Sequence, residues 1–465
     1  FKQKTAYEIG VRLVGSEMCI RDSMLTAAEN KTLTETGIET PMGAVFRRYW
    51  TPALLSRELP TPNSGPLRLK LLGEDFIAFR DSGGNVGIVD ARCPHRGANL
   101  FFGRNEDCGL RCVYHGWKFD VHGQCIDIPN ASPEVADRLK PNAQIRALQV
   151  REWGDVIWAF MGAGEAPELP QFEFAKVPPS HRFVSKKFQQ CNWAQACEGG
   201  LDTAHFSFLH AGINDGEKVG LHQVGMSRDD IAGQNEPARL ARFRWMVEDG
   251  EPRFTVLDHA AGMLLCAART ADNDDVYYRM TQFLMPNHSL APGNFPEDSN
   301  LGNTWVPIDD TSCWIFCYCW NPDRPLTERE CQQLSSGSGI FAEVDEHYVP
   351  LRQRENDYLI DREAQRTESY TGIRGISEQD AAIADSQGLI ADRTEELLVQ
   401  TDLGVVRFRQ TMFEAAAAVA SGSEPLGADH PDAYFVRSGD AMATHESTLE
   451  DVVSARFGQM GGYPL

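Results

Sequence analysis

Across its 465 residues the chain has no apolar run of about 18 residues, the length a helix needs to cross a bilayer, so no membrane span is expected. Positive charge is scarce: 44 Lys and Arg stand against 66 Asp and Glu, a formal net charge of −22. A field of that sign repels nucleic acid and anionic lipid, and neither is expected as a partner. Near the start, Arg12 and Glu17 interrupt any secretory apolar region and no small-residue cleavage site follows, which points to a reducing cytoplasm. There is no internal repeat. The 12 cysteines are spread along the chain rather than packed into a short secreted frame, so a disulfide scaffold is not expected. Cys266, Cys313, Cys317 and Cys319 lie in strand-like apolar runs and read as buried, reduced thiols.

What is present is apolar material for a large core, 42% of residues, and length for two to four domains at roughly 150 residues each. Residues 1–23 read as an extension foreign to the native protein, followed by Met24; a genuine disordered extension is the competing reading, and Cys19 is given no role. Residues 24–48 form a polar, helix-tolerant N-terminal arm. From 49 to 164, short segments such as Leu67 to Leu72, Phe76 to Arg80, Val86 to Asp90 and Asp155 to Phe160 are punctuated by turns, with a hairpin turn at Asp81 to Asn85. That is a small all-β domain. Gly162 to Pro179 reads as a linker. Residues 165–465 mix both kinds of element: helices at Asn192 to Leu209, Ser377 to Thr401 and Phe408 to Ala420, strands at Met280 to Met285 and Cys313 to Tyr318. The expected fold class is α+β, a β domain followed by a domain of antiparallel sheet and helices.

Cys93-Pro94-His95 and Cys112-Val113-Tyr114-His115 place C-x-H and C-x2-H sixteen residues apart. Each half offers one thiolate and one imidazole, and Gly97 and Gly116 let the backbone approach a ligand. A zinc ion takes four such ligands, but zinc fingers usually pair Cys with Cys and His with His. A Rieske [2Fe-2S] cluster holds one iron by two thiolates and the other by two imidazoles. The mixed halves suit the cluster. Cys108 and His122, nearby, read as structural.

Further on stands Asp202-x2-His205-x4-His210. Two imidazoles and a carboxylate form the facial triad of non-haem Fe(II) sites, which leaves positions open for O2. On a helix Asp202 and His205 share a face, so Asp202 can bond the outer nitrogen of His205. His205 and His210 are five apart, about 140° round an ideal helix, so one ion can be shared only if the helix bulges or ends between them; a π-bulge is expected. The competing reading is an amphipathic helix whose histidines pack under Phe206 and Phe208. The third ligand must be a distant carboxylate, and Asp357, Asp361, Asp380 and Asp385 all qualify. Ser377-Glu378-Gln379-Asp380 also reads as a capping box, with Asp380 bonding an N-terminal amide.

Cys93-Pro94-His95-Arg96-Gly97 and Cys112-Val113-Tyr114-His115-Gly116-Trp117 resemble the Rieske loops of ring-hydroxylating oxygenase α subunits. Thr40-Pro41-Met42-Gly43, Phe46-Arg47-Arg48-Tyr49-Trp50 and Asp357-Tyr358-Leu359-Ile360-Asp361-Arg362 extend the resemblance, to the phthalate dioxygenase group, over nearly the whole chain from Met24. It implies a Rieske domain at 49–164 with its [2Fe-2S] cluster on Cys93, His95, Cys112 and His115. The extra cysteine pair of respiratory Rieske proteins is replaced by Ala98 and Tyr114, which implies no disulfide clamp and a lower potential. The resemblance also implies a catalytic domain at 165–465 with mononuclear Fe(II) on His205, His210 and Asp380. Glu378-Gln379-Asp380 matches the stretch that supplies the aspartate, with Asp385 where Glu is frequent. It further implies a homotrimer or stacked trimers, electrons from NADH through a flavin and iron–sulfur reductase, and Asp202 as catalytic conduit between the neighbour's cluster and His205.

The implied reaction uses O2 to dihydroxylate, monohydroxylate or O-demethylate an aromatic acid. Arg253 and Arg269 are candidates to pair with its carboxylate, against the plainer reading of surface salt-bridge partners. The rival function is a Rieske electron carrier without oxygenase activity, holding two irons instead of three.

Overall fold

The computed structural model describes residues 24–214, 216–221, 236–293, 299–337 and 340–458. The expected foreign extension, residues 1–23, lies outside the described residues. Thr26 opens the helix Ala27–Thr34 by a reciprocal bond with Glu29. Thr40 opens Pro41–Phe46, whose proline at the first helical position loses no bond. The arm is tied to the C-terminal half: Asn30 donates to the Ala391 carbonyl at 3.0 Å and accepts from Arg393 at 3.0 Å.

The β domain is built of three antiparallel sheets. One joins Trp50–Leu55, Val156–Phe160 and Gln149–Trp153; the second, Leu67–Leu71, Glu74–Arg80 and Val86–Asp90; the third, four short strands from Arg104–Glu106 to Cys125–Asp127. The hairpin between the last two strands of the second sheet turns where expected. The Asp81 carboxylate accepts from the N–H groups of Gly83 and Asn85 (2.9 and 2.8 Å), and Gly84 takes φ +86°. Ile77, Phe79, Val89, Leu110 and Phe119 close a core that also holds Cys93 and Cys112.

Gly162 to Pro179 is not the free linker expected. Phe172 and Phe174 are buried, Phe172 against Trp158 and His288, Phe174 against Tyr318 at 4.1 Å. Phe172 caps a short helix, Glu173–Lys176, that includes Phe174, and its buried Glu173 is held by Arg437 and the Trp320 indole N–H. Two aromatic side chains bury more apolar area than the Gly and Pro around them can offset, so the segment is a strap between the domains.

The second domain centres on an eight-stranded antiparallel sheet. Its order is Arg182–Gln189, Ser312–Trp320, Asn300–Asp309, His288–Ala291, Val276–Leu284, Gly262–Thr270, Arg253–His259, with Gly439–Ala443 also on Val276–Leu284. Ser312–Trp320 is buried along almost its whole length, which explains its unbroken apolar text. The helix Trp193–Leu201 packs on this sheet, and Ile376–Ser386 packs on that helix. Two helix limits differ from expectation. Ile376–Ser386 starts after Gly375 and stops before Gly388, both at positive φ, well short of Thr401. Leu403–Ala420 begins ahead of Phe408.

Candidate active site

The two C/H loops are built alike. In each, the cysteine N–H donates to a carbonyl five residues on (Cys93 to Ala98, Cys112 to Trp117, both 2.8 Å), and the glycine N–H donates back to the cysteine carbonyl. Gly97 and Gly116 take φ +73° and +81°, and a Cβ on Gly116 would meet Pro129 at 2.6 Å. The thiols point into the β-domain core, while the imidazoles of His95 and His115 are half-buried with ring centroids 4.5 Å apart. His95 lies flat on Trp117 at 4.6 Å.

Two observations fit this set to a cluster. His115 Nδ1 is buried without a partner among the described residues, and burial, with Cys112 alongside, raises the pKa of the Cys93 thiol. Adjacent buried thiols ionise only against a compensating cation, and the donors divide into two inner sulfurs and two outer nitrogens, as a Rieske cluster requires. The described cysteines are all free thiols.

The second set arises where a helix fails. Asn192 caps Trp193–Leu201, which ends at Asp202 rather than running to Leu209. Gly199 and Gly200 weaken the last turn, and the Asp202 carboxylate accepts from Ala204 N–H at 2.7 Å, a local bond that competes with helix continuation. A single 3-10 turn, Ala204–Ser207, carries His205, and the chain then enters Ala211–Asn214 with His210 just before it. The expected π-bulge is absent here; the helix stops ahead of both histidines. Released from helical spacing, their Nε2 atoms lie 3.1 Å apart.

Asp380, from Ile376–Ser386, places Oδ1 3.1 Å from His210 Nε2 and 3.7 Å from His205 Nε2. It is therefore not the capping residue that the sequence also allowed; Gly375 holds the N-cap position. Neighbouring ligands of one ion, each at about 2.1 Å, stand about 3 Å apart, so three donors with these separations suit a shared metal. Among the described residues this is the group of three or more His, Cys, Asp or Glu donors so gathered.

Asp202 Oδ2 stands 3.2 Å from His205 Nδ1. Burial opposes charge on His205, but the Asp202 bond and charge, with Asp380, override it and raise its pKa. Burial likewise opposes the Asp380 carboxylate, and His210 with His205 override it and lower its pKa. His210 is 2% exposed and its Nδ1 faces Gln379.

Arg269 is not the surface residue considered above: it is 0% exposed, bonds the Thr203 carbonyl through Nη2 at 2.6 Å, and leaves Nε and Nη1 without partners among the described residues. Arg253 is exposed at the start of an edge strand and does not join this group. Sequence reasoning missed Arg279, a buried guanidinium 4.8 Å over the Phe206 ring, its Nε also unpartnered among the described residues. A lone cation inside the otherwise buried run Val276–Leu284 was the available signal. It missed Gln379 as well, whose contact no spacing announces. A cavity of about 750 Å³ lies elsewhere, between Leu54, Phe76, Phe188, Trp314 and Tyr348, so donor convergence locates the chemistry.

Comparison with known proteins agrees with both centres. Residues 49–150 match the Rieske [2Fe-2S] domain, and 159–439 the family described as LigXa C-terminal domain like. The chain is 38% identical to the 3-chlorobenzoate-3,4-dioxygenase oxygenase subunit of Comamonas testosteroni, over 92% of this chain and 100% of that protein. It is 38% identical to the phthalate 4,5-dioxygenase oxygenase subunit of Pseudomonas putida, over 87% and 89%. Dicamba monooxygenase, a solved structure at 16% identity, shares the fold with a TM-score of 0.53, over 81% of this chain and 99% of that one. An all-β cluster domain, a sheet-and-helix domain with an N2O donor group, and relatives matched over most of both chains lead to one conclusion: the chain belongs to the Rieske non-haem iron oxygenases, in the phthalate dioxygenase-like group, and is an oxygenase with a Rieske [2Fe-2S] cluster and a mononuclear iron as its cofactors.

Proposed function

We propose that this oxygenase hydroxylates an aromatic acid, with O2 as co-substrate and electrons from an NADH-dependent flavin and iron–sulfur reductase. In this reading Cys93, His95, Cys112 and His115 hold the cluster, and His205, His210 and Asp380 hold the iron. When bound, the cluster delivers electrons and the iron activates O2. The protein's own share is to bring Nε2 of both histidines and one Asp380 oxygen together, where they would hold the iron. Asp202 keeps the His205 proton on Nδ1. The observation that carries the reading is the presence of two separate donor sets, S2N2 and N2O, in one chain.

The acid class is supported by Arg269 and Arg279. Two buried guanidinium groups with unpartnered N–H donors are costly unless an anion answers them, and a carboxylate matches their geometry. The names of two relatives, a chlorobenzoate and a phthalate dioxygenase, point the same way. Since others are named an O-demethylase and a monooxygenase, the reading keeps dihydroxylation, monohydroxylation and O-demethylation together. Arg253, exposed on its edge strand, is the weaker of the two arginine candidates. The reading includes a cytoplasmic homotrimer or stacked trimers, the Rieske domain being 49–164 and the catalytic domain 165–465. Asp202, its side chain 24% exposed, then bridges to the adjacent subunit.

The test is to incubate the purified protein and a compatible reductase with benzoates, phthalates and methoxylated aromatic acids, alongside the uncharged methyl esters of the same compounds. Acid-dependent loss of NADH and O2 with a hydroxylated product is expected. Turnover only of uncharged aromatics would remove the acid assignment, and no oxygen uptake with any of them would favour the electron carrier.

A further inference from the structure

Gln379 is 1% exposed and makes two hydrogen bonds whose directions leave no choice of orientation. Its amide nitrogen lies 2.8 Å from the Ile373 carbonyl, which can only accept. The amide oxygen is thereby turned to His210 Nδ1, 2.6 Å away, and an amide oxygen can only accept as well. His210 must therefore carry its proton on Nδ1 and present the Nε2 lone pair toward Asp380 and His205, each 3.1 Å off. The partner of His205 Nδ1 is different in kind, the Asp202 carboxylate.

We infer that Gln379 is a positioning residue that locks His210 as a neutral ligand directed through Nε2, so that the two histidines serve the metal with unequal basicity. The inference rests on the iron assignment proposed above. A carboxylate behind an imidazole raises its basicity as a ligand, whereas an amide fixes the tautomer without adding charge. Gln379 also precedes Asp380 on the same helix. One turn of Ile376–Ser386 thus supplies a ligand and orients another ligand arriving from the 205–210 segment. The device is joined to the backbone ahead of that helix through Ile373, so helix position and imidazole direction are set together.

The experiment uses full-length protein with its Rieske cluster loaded, and compares Gln379→Met, which keeps length but accepts nothing, with Gln379→Glu, which keeps an acceptor toward Nδ1 while losing the Ile373 bond. Fe(II) affinity is read by equilibrium dialysis, with Rieske absorbance as the check on folding. The methionine variant should bind Fe(II) about 10–100-fold more weakly. The glutamate variant should stay within a few-fold of the parent and shift the visible ligand-field bands of the Co(II)-substituted site. Parental affinity in the methionine variant, or equal weakening in both with normal Rieske absorbance, overturns the inference. Failure of the parent itself to take a third iron would instead overturn the iron assignment beneath it.

Discussion

Asp202 ends a helix, accepts from Ala204 and holds His205, dividing these duties between its two oxygens. An asparagine can keep the Ala204 bond through its oxygen but turns an NH2 toward His205, where an N–H donor stands. Asp202→Asn should therefore keep the Rieske cluster, hold Fe(II) more weakly, and lower turnover of the iron-loaded protein by about 10–100-fold. Iron content and product per NADH measure this, and normal product yield would contradict it. The candidate metal donors were legible in the sequence because few residue types ligate iron, and mixed C/H halves narrow the choice further. Their supports were not: Gln379 and Arg279 act through spatial contacts that spacing does not encode. The four candidate carboxylates show the same limit. Asp361 caps the helix Arg362–Thr367, Asp385 accepts from Tyr358, Asp357 sits at φ +50° in a left-handed turn, and only Asp380 reaches the histidines. Local text could not separate them; family resemblance did.

At the scale of elements, the end of Trp193–Leu201 decides the geometry of the iron site. Gly200 lies against the Trp305 ring, and an added Cβ would stand 2.3 Å from it. Gly200→Ala sets two effects against each other. Helix propensity favours Ala by about 1 kcal/mol, and overpacking costs about 1–3 kcal/mol. With a rigid ring on a buried strand, overpacking should win, so the variant should be less stable and bind Fe(II) more weakly. Chemical denaturation checks the first and dialysis the second; a gain in stability would show that the ring yields. The helix limits read from sequence were too long here and at Ser377 to Thr401. Apolar periodicity continues past the point where Asp202 and Gly388 stop the backbone. The strands were read better, because alternation and unbroken apolar runs report burial directly.

Over the whole molecule, the domain order was legible from where the metal motifs fall, while the aromatic strap was not, since Gly, Pro and Glu around Phe172 and Phe174 read as linker. That strap seals His288, which bonds Thr304 and packs on Phe172; burial lowers its pKa to about 3. His259, buried beside Gln282, is lowered to about 4. Both are neutral in the folded chain while the unfolded chain protonates near pH 6.5. The histidines' share of stability should therefore fall as pH drops from about 6.5 toward 4, by roughly 1.4 kcal/mol per pH unit each. It does so against the opposite contribution of the Glu378 and Asp440 carboxyls, which burial raises to about 7 and about 6. Denaturation midpoints at pH 7 and pH 5 test this, and His288→Gln should remove one proton's share of the slope; an unchanged slope would contradict it.

The central claim is that one chain carries two separate iron stations, and iron analysis of the purified, reconstituted protein tests it most directly. The account predicts three irons per subunit, falling to two in Asp380→Ala with the Rieske absorption intact. Two irons in the parent protein, or zinc in place of iron at either station, would contradict it.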